Sequence, residues 1–244
     1  SSFSNFDLLP FSPLGEDVIS NIRGLVNGSA TITGSASNPE INGELTLTDA
    51  GLGIPYLNVD YDFAPLSRVR LFGQTFYFEN IGLTDVAEGT TAILDGTISH
   101  MAFDDWDLNL DLNTNNGRFL VLNTDFDEEA LYYGTGFING TGRIYGPTDA
   151  LNITMDATTA RGTSLKIPLS DVTSVGDYSF INFIEKNEEK TIEAQRVLDE
   201  YKGLEMAFDL EVTPDAEVEI VVDRSTGSSL KGTGEGILLI EINV

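Results

Sequence analysis

Long stretches of this sequence place an apolar residue at every second position, with Asp, Glu, Asn or Thr in between. Residues 107–113 read Asp-Leu-Asn-Leu-Asp-Leu-Asn, and residues 151–156, 206–213, 217–220 and 238–242 repeat the pattern. Successive side chains of a strand point to opposite faces of its sheet. Each stretch therefore predicts a strand with one apolar face and one polar face.

The total apolar area limits the possible architectures. About ten such strands, at a spacing of ~4.8 Å and a length of ~20 Å, would present an apolar face on the order of 1,000 Å². A soluble monomer exposes only a few hundred Å² in one patch. The sheet must close on itself as a sandwich or barrel, or curl into a trough for an apolar guest. Glycines within strand-like segments, as at Gly136, Gly140 and Gly142, favour strong bends and hence the trough.

We therefore predict an all-β fold, an elongated and strongly curled sheet with an apolar interior. Residues 1–23 are predicted as an irregular or short helical lead-in, and residues 24–244 as a single curled sheet domain. Asn-Gly pairs at 42–43, 116–117 and 139–140 predict turns between strands. Residues 188–201 carry apolar side chains near helical spacing before Gly203, which predicts one short amphipathic helix inserted between strands.

The inward face of the trough is the candidate binding site for an apolar guest. Its predicted residues occupy the apolar positions of the alternating strands, and no residue is assigned a catalytic or metal-binding role. The predicted groove residues are Leu108, Leu110, Leu112, Ile153, Met155, Phe208, Leu210, Val218, Ile220, Leu238, Ile240 and Ile242.

Composition excludes several classes of catalytic site. The chain of 244 residues has a net charge of −26, no Cys and one His, which removes cysteine nucleophiles and His-rich zinc sites. A Ser-His-Asp triad could only use His100, which we interpret as a polar residue at the end of strand 93–99. Asp104 and Asp105 could serve glycoside hydrolysis, but 39 acidic residues make chance pairs inevitable. We expect a protein without enzymatic activity and without a cofactor.

Binding of metals, nucleic acid and membranes is also constrained. The acidic clusters at 104–107 and 125–129 offer hard oxygens to calcium but lack the spacing of a calcium loop, so solvated turns are the favoured interpretation. The acidic coat repels nucleic acid. No run approaches the roughly 18 apolar residues of a membrane span. The first residue is Ser1, which suggests a piece of a longer protein.

Short stretches of the chain, taken in order, resemble the C-terminal domain of the TamB family (translocation and assembly module). They are Asn38-Pro39-Glu40-Ile41-Asn42-Gly43, Ile54-Pro55-Tyr56-Leu57-Asn58-Val59, Leu83-Thr84-Asp85, Gly96-Thr97-Ile98-Ser99-His100, Phe103-Asp104-Asp105-Trp106, Val121-Leu122-Asn123-Thr124, Tyr132-Tyr133-Gly134, Gly146-Pro147-Thr148, Ile167-Pro168-Leu169, Val212-Thr213-Pro214-Asp215-Ala216 and Gly232-Thr233-Gly234-Glu235-Gly236. The resemblance extends from about residue 24 to the end.

The resemblance implies a periplasmic segment of a long AsmA-like protein anchored in the inner membrane of a Gram-negative bacterium. It implies a β-taco fold with a hydrophobic groove, lipid transport toward the outer membrane, and a role in outer-membrane biogenesis, protein assembly and secretion. The implied partners are phospholipid acyl chains, neighbouring segments of the same protein, and an outer-membrane barrel contacted through a final segment beyond this chain. The alternative reading from the residues is a closed β-sandwich of a surface adhesin or glycan-binding module, in which the alternating face is only core.

Overall fold

The computed structural model describes residues 2–9, 19–35, 38–126, 132–168, 181–184, 204–223 and 227–243. Strands dominate them, and a 3₁₀ turn lies at Pro55–Leu57. The strands are β1 (Ser2–Asp7), β2 (Ser20–Ser35), β3 (Asn38–Ile54), β4 (Val59–Phe63), β5 (Arg68–Phe72), β6 (Thr75–Asp85), β7 (Thr91–Met101), β8 (Asp104–Asn113), β9 (Phe119–Thr124), β10 (Tyr133–Pro147), β11 (Leu151–Thr159), β12 (Ser164–Pro168), β13 (Ile181–Ile184), β14 (Leu204–Val212), β15 (Glu217–Asp223), β16 (Ser228–Gly232) and β17 (Gly236–Asn243).

All of these strands belong to one sheet, which confirms the predicted all-β class. From one side to the other, β1 pairs with β2, β2 with β3, and β3 with both β4 and β5. The sheet continues through β6, β7 and β8 to β10, which also pairs with β9, β11 and β12. Among the described strands, only β11–β14 and β12–β15 pair in parallel. A single sheet differs from the two packed sheets of the sandwich alternative.

Four tight turns interrupt the strands along one line across the sheet. They occupy residues 64–67, 114–117, 160–163 and 213–216, and each is closed by a backbone hydrogen bond from its fourth residue to its first. The middle turns flank the same part of β10, because Thr114 donates its backbone N–H to Gly140 and Ala160 donates to Phe137. The strands before and after a turn pair with the same neighbour: β4 and β5 both pair with β3, and β8, β9, β11 and β12 all pair with β10.

The two faces of the sheet differ in polarity as predicted. In β8, Leu108 is buried and Leu110 and Leu112 are half-buried, whereas the polar residues between them are exposed. In β5, Val69 and Leu71 are buried and the residues beside them are exposed. We call the apolar side the inner face. The buried residues that form the core lie mainly on this face.

Some predictions for individual segments were wrong, and one concerns residues that the structure does not describe. Ser2–Asp7 forms strand β1 on the flank of β2, although residues 1–23 were predicted as irregular or helical. The Asn-Gly pairs at 42–43 and 139–140 lie inside strands β3 and β10, whereas the pair at 116–117 does occupy a turn. The predicted helix at 188–201 lies outside the described residues.

Candidate functional site

The inner face surrounds an apolar cavity of about 260 Å³. Residues from both halves of the sheet line it, since side chains of β3 and β4 share the cavity with side chains of β8, β10, β11 and β14. One sheet can enclose a common space in this way only if it curls until its two halves face each other. The volume is close to the lower end of the ~300–1,000 Å³ typical of small-molecule pockets.

Eight of the twelve predicted groove residues line this cavity, and these are Leu108, Leu110, Leu112, Ile153, Met155, Phe208, Leu210 and Val218. Ile220 lies two residues beyond Val218 on β15, is half-buried, and is not among the lining residues. The backbone register of β17 places Leu238 opposite Leu210, Ile240 opposite Phe208 and Ile242 opposite Met206. The side chains of Leu238, Ile240 and Ile242 lie outside the described ones. Lipid contact by all twelve residues stays a prediction.

The wall that faces the predicted groove residues was absent from the prediction. It comes from the first half of the chain, and its lining residues include Leu52, Ile54, Tyr56, Leu57, Tyr61 and Phe63. A signal for this wall was available, because residues 57–63 alternate Leu, Val, Tyr and Phe with Asn and Asp. The sequence does not reveal that this strand faces β9 and β10 across one cavity.

The loop of the β6–β7 hairpin is held by a buried carboxylate. Asp85 is only 1% exposed. Its carboxylate accepts hydrogen bonds from the backbone N–H of Glu88 at 2.7 Å, from the backbone N–H of Thr90 at 2.5 Å, and from the Thr90 hydroxyl. The loop also bridges the neighbouring strands: Val86 donates its N–H to Asp60, and Thr90 Oγ1 accepts from the N–H of Leu120.

Beyond this loop, β4 and the preceding 3₁₀ turn face β9 and the start of β10, and we call this stretch the slot. Tyr61 donates its hydroxyl hydrogen to the carbonyl of Leu120 at 2.9 Å, and its ring stacks on Phe119 with centroids 5.0 Å apart. Asn58 Nδ2 donates to the carbonyl of Asn123 at 2.6 Å. Side chains thus bridge the slot between residues 58–61 and 119–123.

A pair of tyrosines continues the slot toward β10. The hydroxyls of Tyr56 and Tyr132 are hydrogen-bonded to each other, and both side chains line the cavity. Burial raises the pKa of Tyr132 well above its ordinary value of 10.0, and the neighbouring Tyr56 contributes. Burial, helped by the charge of Asp85, also raises the pKa of Tyr61. Tyr61 and Tyr132 are therefore neutral phenols throughout the physiological pH range.

His100 lies next to the last residue of β7, close to the predicted strand end, and is buried within an aromatic cluster. It is 6% exposed, its ring stacks on Phe103 at 4.6 Å, and the rings of Trp106 and Phe76 lie 4.9 and 5.8 Å away. Its Nδ1 accepts a hydrogen bond from the backbone N–H of Phe103, and Nε2 has no partner among the described residues. Burial lowers the pKa of His100. Among the described residues, no serine is paired with this imidazole in a triad-like arrangement.

The acidic clusters show no arrangement typical of a metal centre in the described part of the chain. No group of three or more His, Asp or Glu side chains lies together there as a potential metal site. Asp104 instead accepts a hydrogen bond from the backbone N–H of Asp105 at the start of β8. The second predicted cluster, 125–129, extends into residues outside the description.

Comparison with known proteins gives a family but no individual relative. None of the described helical segments has the length and apolar character needed to cross a membrane. Searches of the curated proteins and of the solved structures found no match. The TamB C-terminal domain matches residues 79–244. Because this match covers more than half of the 244 residues, the chain belongs to the TamB C-terminal domain family.

Proposed function

We propose that the curled sheet holds phospholipid acyl chains in its cavity and along its inner face, and conducts them toward the outer membrane. Family membership makes the chain a component of the bacterial envelope with a role in outer-membrane assembly or lipid transport. The observation that supports the lipid proposal is the cavity between the two halves of the sheet, which leucine, isoleucine, phenylalanine and tyrosine side chains line from both sides.

The energetics of this proposal are favourable. Burying a sixteen-carbon acyl chain at ~0.8 kcal/mol per methylene contributes roughly 13 kcal/mol before the entropy cost of ordering the chain. A sliding lipid loses little of this between neighbouring positions, because each row of the inner face offers similar aliphatic side chains. The polar outer face, which carries much of the −26 net charge, keeps the sheet soluble.

We also propose that the protein acts without catalysis, in the periplasm, as a segment of a longer protein anchored in the inner membrane. Neighbouring segments of that protein would then be its direct partners. An outer-membrane barrel would be a further partner. These partners and this location are inferred from the family.

Native mass spectrometry of the chain, purified without harsh detergent, tests the lipid proposal. We expect adducts with the masses of phospholipids, which exchange for an added phospholipid of different chain length. A Leu112→Glu variant should lose the adducts, because its carboxylate lies in the apolar cavity. The matched control Thr97→Glu changes a residue of β7 outside the lining and should keep them. A mass without adducts under gentle conditions, together with no binding of added phospholipid, would contradict the proposal.

A further inference from the structure

Among the described residues, the slot is a part of the cavity wall that no backbone ladder holds together. Elsewhere, neighbouring strands such as β10 and β11 are joined by continuous ladders that run over eight consecutive residue pairs. Across the slot, no backbone–backbone hydrogen bond joins β4 to β9 among the described residues, and the two strands are not paired in the sheet. The bridges are individual side chains, those of Asn58, of Tyr61 and of the Tyr56–Tyr132 pair. Local opening is favoured where few backbone hydrogen bonds must break together.

The slot lies directly over the cavity. Tyr56, Tyr61 and Tyr132 border it and also line the cavity, so parting its two sides would connect the apolar interior with the outside of the sheet. The two ends of the slot differ in packing. At the inner end Phe119 and Leu120 are at most 1% exposed, whereas the bond from Asn58 to Asn123 lies at the surface. Opening would therefore start at Asn58 and proceed toward Tyr61.

We propose that the slot between β4 and β9 is a lateral entrance through which an acyl chain enters the cavity when the side-chain bridges separate. This inference rests on the proposed function, because it describes how the same cavity fills. The β6–β7 hairpin would form the fixed inner edge of the entrance, since Asp85 and Thr90 hold its loop against Leu120.

Variants that weaken the bridges test the entrance. Tyr61→Phe keeps the ring and its stacking but loses the hydroxyl that bonds Leu120. Asn58→Gly removes the second bridge, and glycine accepts the positive φ of 49° at this position. The matched controls are Tyr77→Phe, which removes a hydroxyl from β6, and Asn80→Gly, which replaces an exposed asparagine with φ of 54° far from the slot. Neither control residue lines the cavity.

The readout is stopped-flow transfer of a phosphatidylcholine with a self-quenching fluorescent acyl chain, from phosphatidylcholine vesicles to the purified chain. We expect Tyr61→Phe and Asn58→Gly to raise uptake and release rates several-fold, with little change in equilibrium binding, because the bridges exist in both the empty and the filled protein. The controls should transfer lipid at the wild-type rate. If Tyr61→Phe does not fold, the surface variant Asn58→Gly decides the result alone.

A locked slot gives the opposite test. The chain contains no cysteine, so Asn58→Cys and Asn123→Cys can be joined selectively by a short bis-maleimide linker. We expect the linked protein, checked by mass, to lose most of its uptake rate, while the same variant blocked with separate maleimides keeps it. If the wild type takes up lipid but neither the opening variants nor the linker changes the rate, the proposed entrance is wrong while the proposed function stands. Absence of uptake by the wild type would overturn the proposed function and the entrance with it.

Discussion

The hydroxyl of Tyr61 donates a hydrogen bond at 2.9 Å to the backbone carbonyl of Leu120, a residue 59 positions later in the chain. Both residues are buried, and the ring of Tyr61 also stacks on Phe119. This contact joins two parts of the sheet that are not neighbours in its strand order. The contact therefore closes the cavity at a place where no backbone ladder joins the two sides.

Removing this hydroxyl should measurably destabilise the fold. We expect Tyr61→Phe to lower the free energy of unfolding by about 1–2 kcal/mol, because the carbonyl of Leu120 loses its donor in a buried environment. Phe119→Ala should cost more, about 3–5 kcal/mol, since it removes a fully buried ring. Urea denaturation followed by circular dichroism measures both values. An unchanged midpoint for Tyr61→Phe, with Tyr77→Phe as the control, would show that the bond contributes nothing.

Two glycines of β10 should differ sharply in their tolerance of a methyl group. A Cβ at Gly140 would lie 2.4 Å from the carbonyl oxygen of Asp156 and 2.5 Å from Cα of Ala157, so the neighbouring backbone must shift. At Gly142 the nearest atoms are 3.7 Å away or more, an ordinary van der Waals distance. We expect Gly140→Ala to destabilise by about 1–3 kcal/mol and Gly142→Ala to be near neutral or slightly stabilising. Thermal unfolding of the pair checks this, and equal melting temperatures would refute the close approach.

The same glycine explains why part of the fold could not be predicted from the sequence. Asn139-Gly140 has the composition of a hairpin turn, yet it lies within β10, where the glycine allows the backbone of β11 to come close. Gly43 behaves alike, since a Cβ there would lie 2.2 Å from the carbonyl oxygen of Ser29. A local pattern cannot distinguish a glycine that permits a turn from one that permits close contact between strands.

Faces of strands were predictable, whereas distant pairings were not. The alternation of apolar and polar residues predicted that Leu108, Leu110 and Leu112 lie on the inner face, because every second side chain of a strand points to the same face of its sheet. The position of β17 is an example of a pairing that could not be predicted from the sequence. In the sheet, β17 lies between β13 and β14, and no local pattern in residues 236–243 indicates these two partners. Which strands pair depends on the length of each hairpin and on the turns, which local periodicity does not record.

Stability should depend on pH through the single histidine. Burial lowers the pKa of His100, so the unfolded chain, with an ordinary value near 6.5, takes up the proton first as pH falls. The contribution of His100 to stability is thus fully present above about pH 6.5 and is lost as pH falls toward the folded pKa. We expect the free energy of unfolding to decrease between pH 7 and the onset of carboxylate titration. His100→Gln should remove this component.

An NMR titration gives an independent check on His100. The chain contains one His, so the imidazole signals need no assignment by mutagenesis. The expected result is a titration midpoint below that of a histidine in a model peptide. A midpoint at or above 6.5 would contradict the buried aromatic environment of His100.

A charge on the inner face should separate folding from lipid passage. Leu110 lines the cavity and is half-buried, and the long side chain of an arginine there can extend along the groove to keep its charge in water. In a closed core, an unpaired charge would cost several kcal/mol, out of a total stability of roughly 5–15 kcal/mol. We therefore expect Leu110→Arg in the full-length protein to remain folded and abundant while the apolar path is interrupted.

The measurement is rescue of an outer-membrane permeability defect in a strain that lacks the protein. Leu110→Arg should fail to rescue at normal protein levels, and Ile220→Asp on β15 tests whether the path extends beyond the residues that line the cavity. Thr31→Arg, an exposed position of β2, adds the same charge as Leu110→Arg and should rescue fully. Loss of folded Leu110→Arg protein would indicate that the inner face is a closed core. Full rescue by this variant, at wild-type abundance, would show that lipids do not pass Leu110.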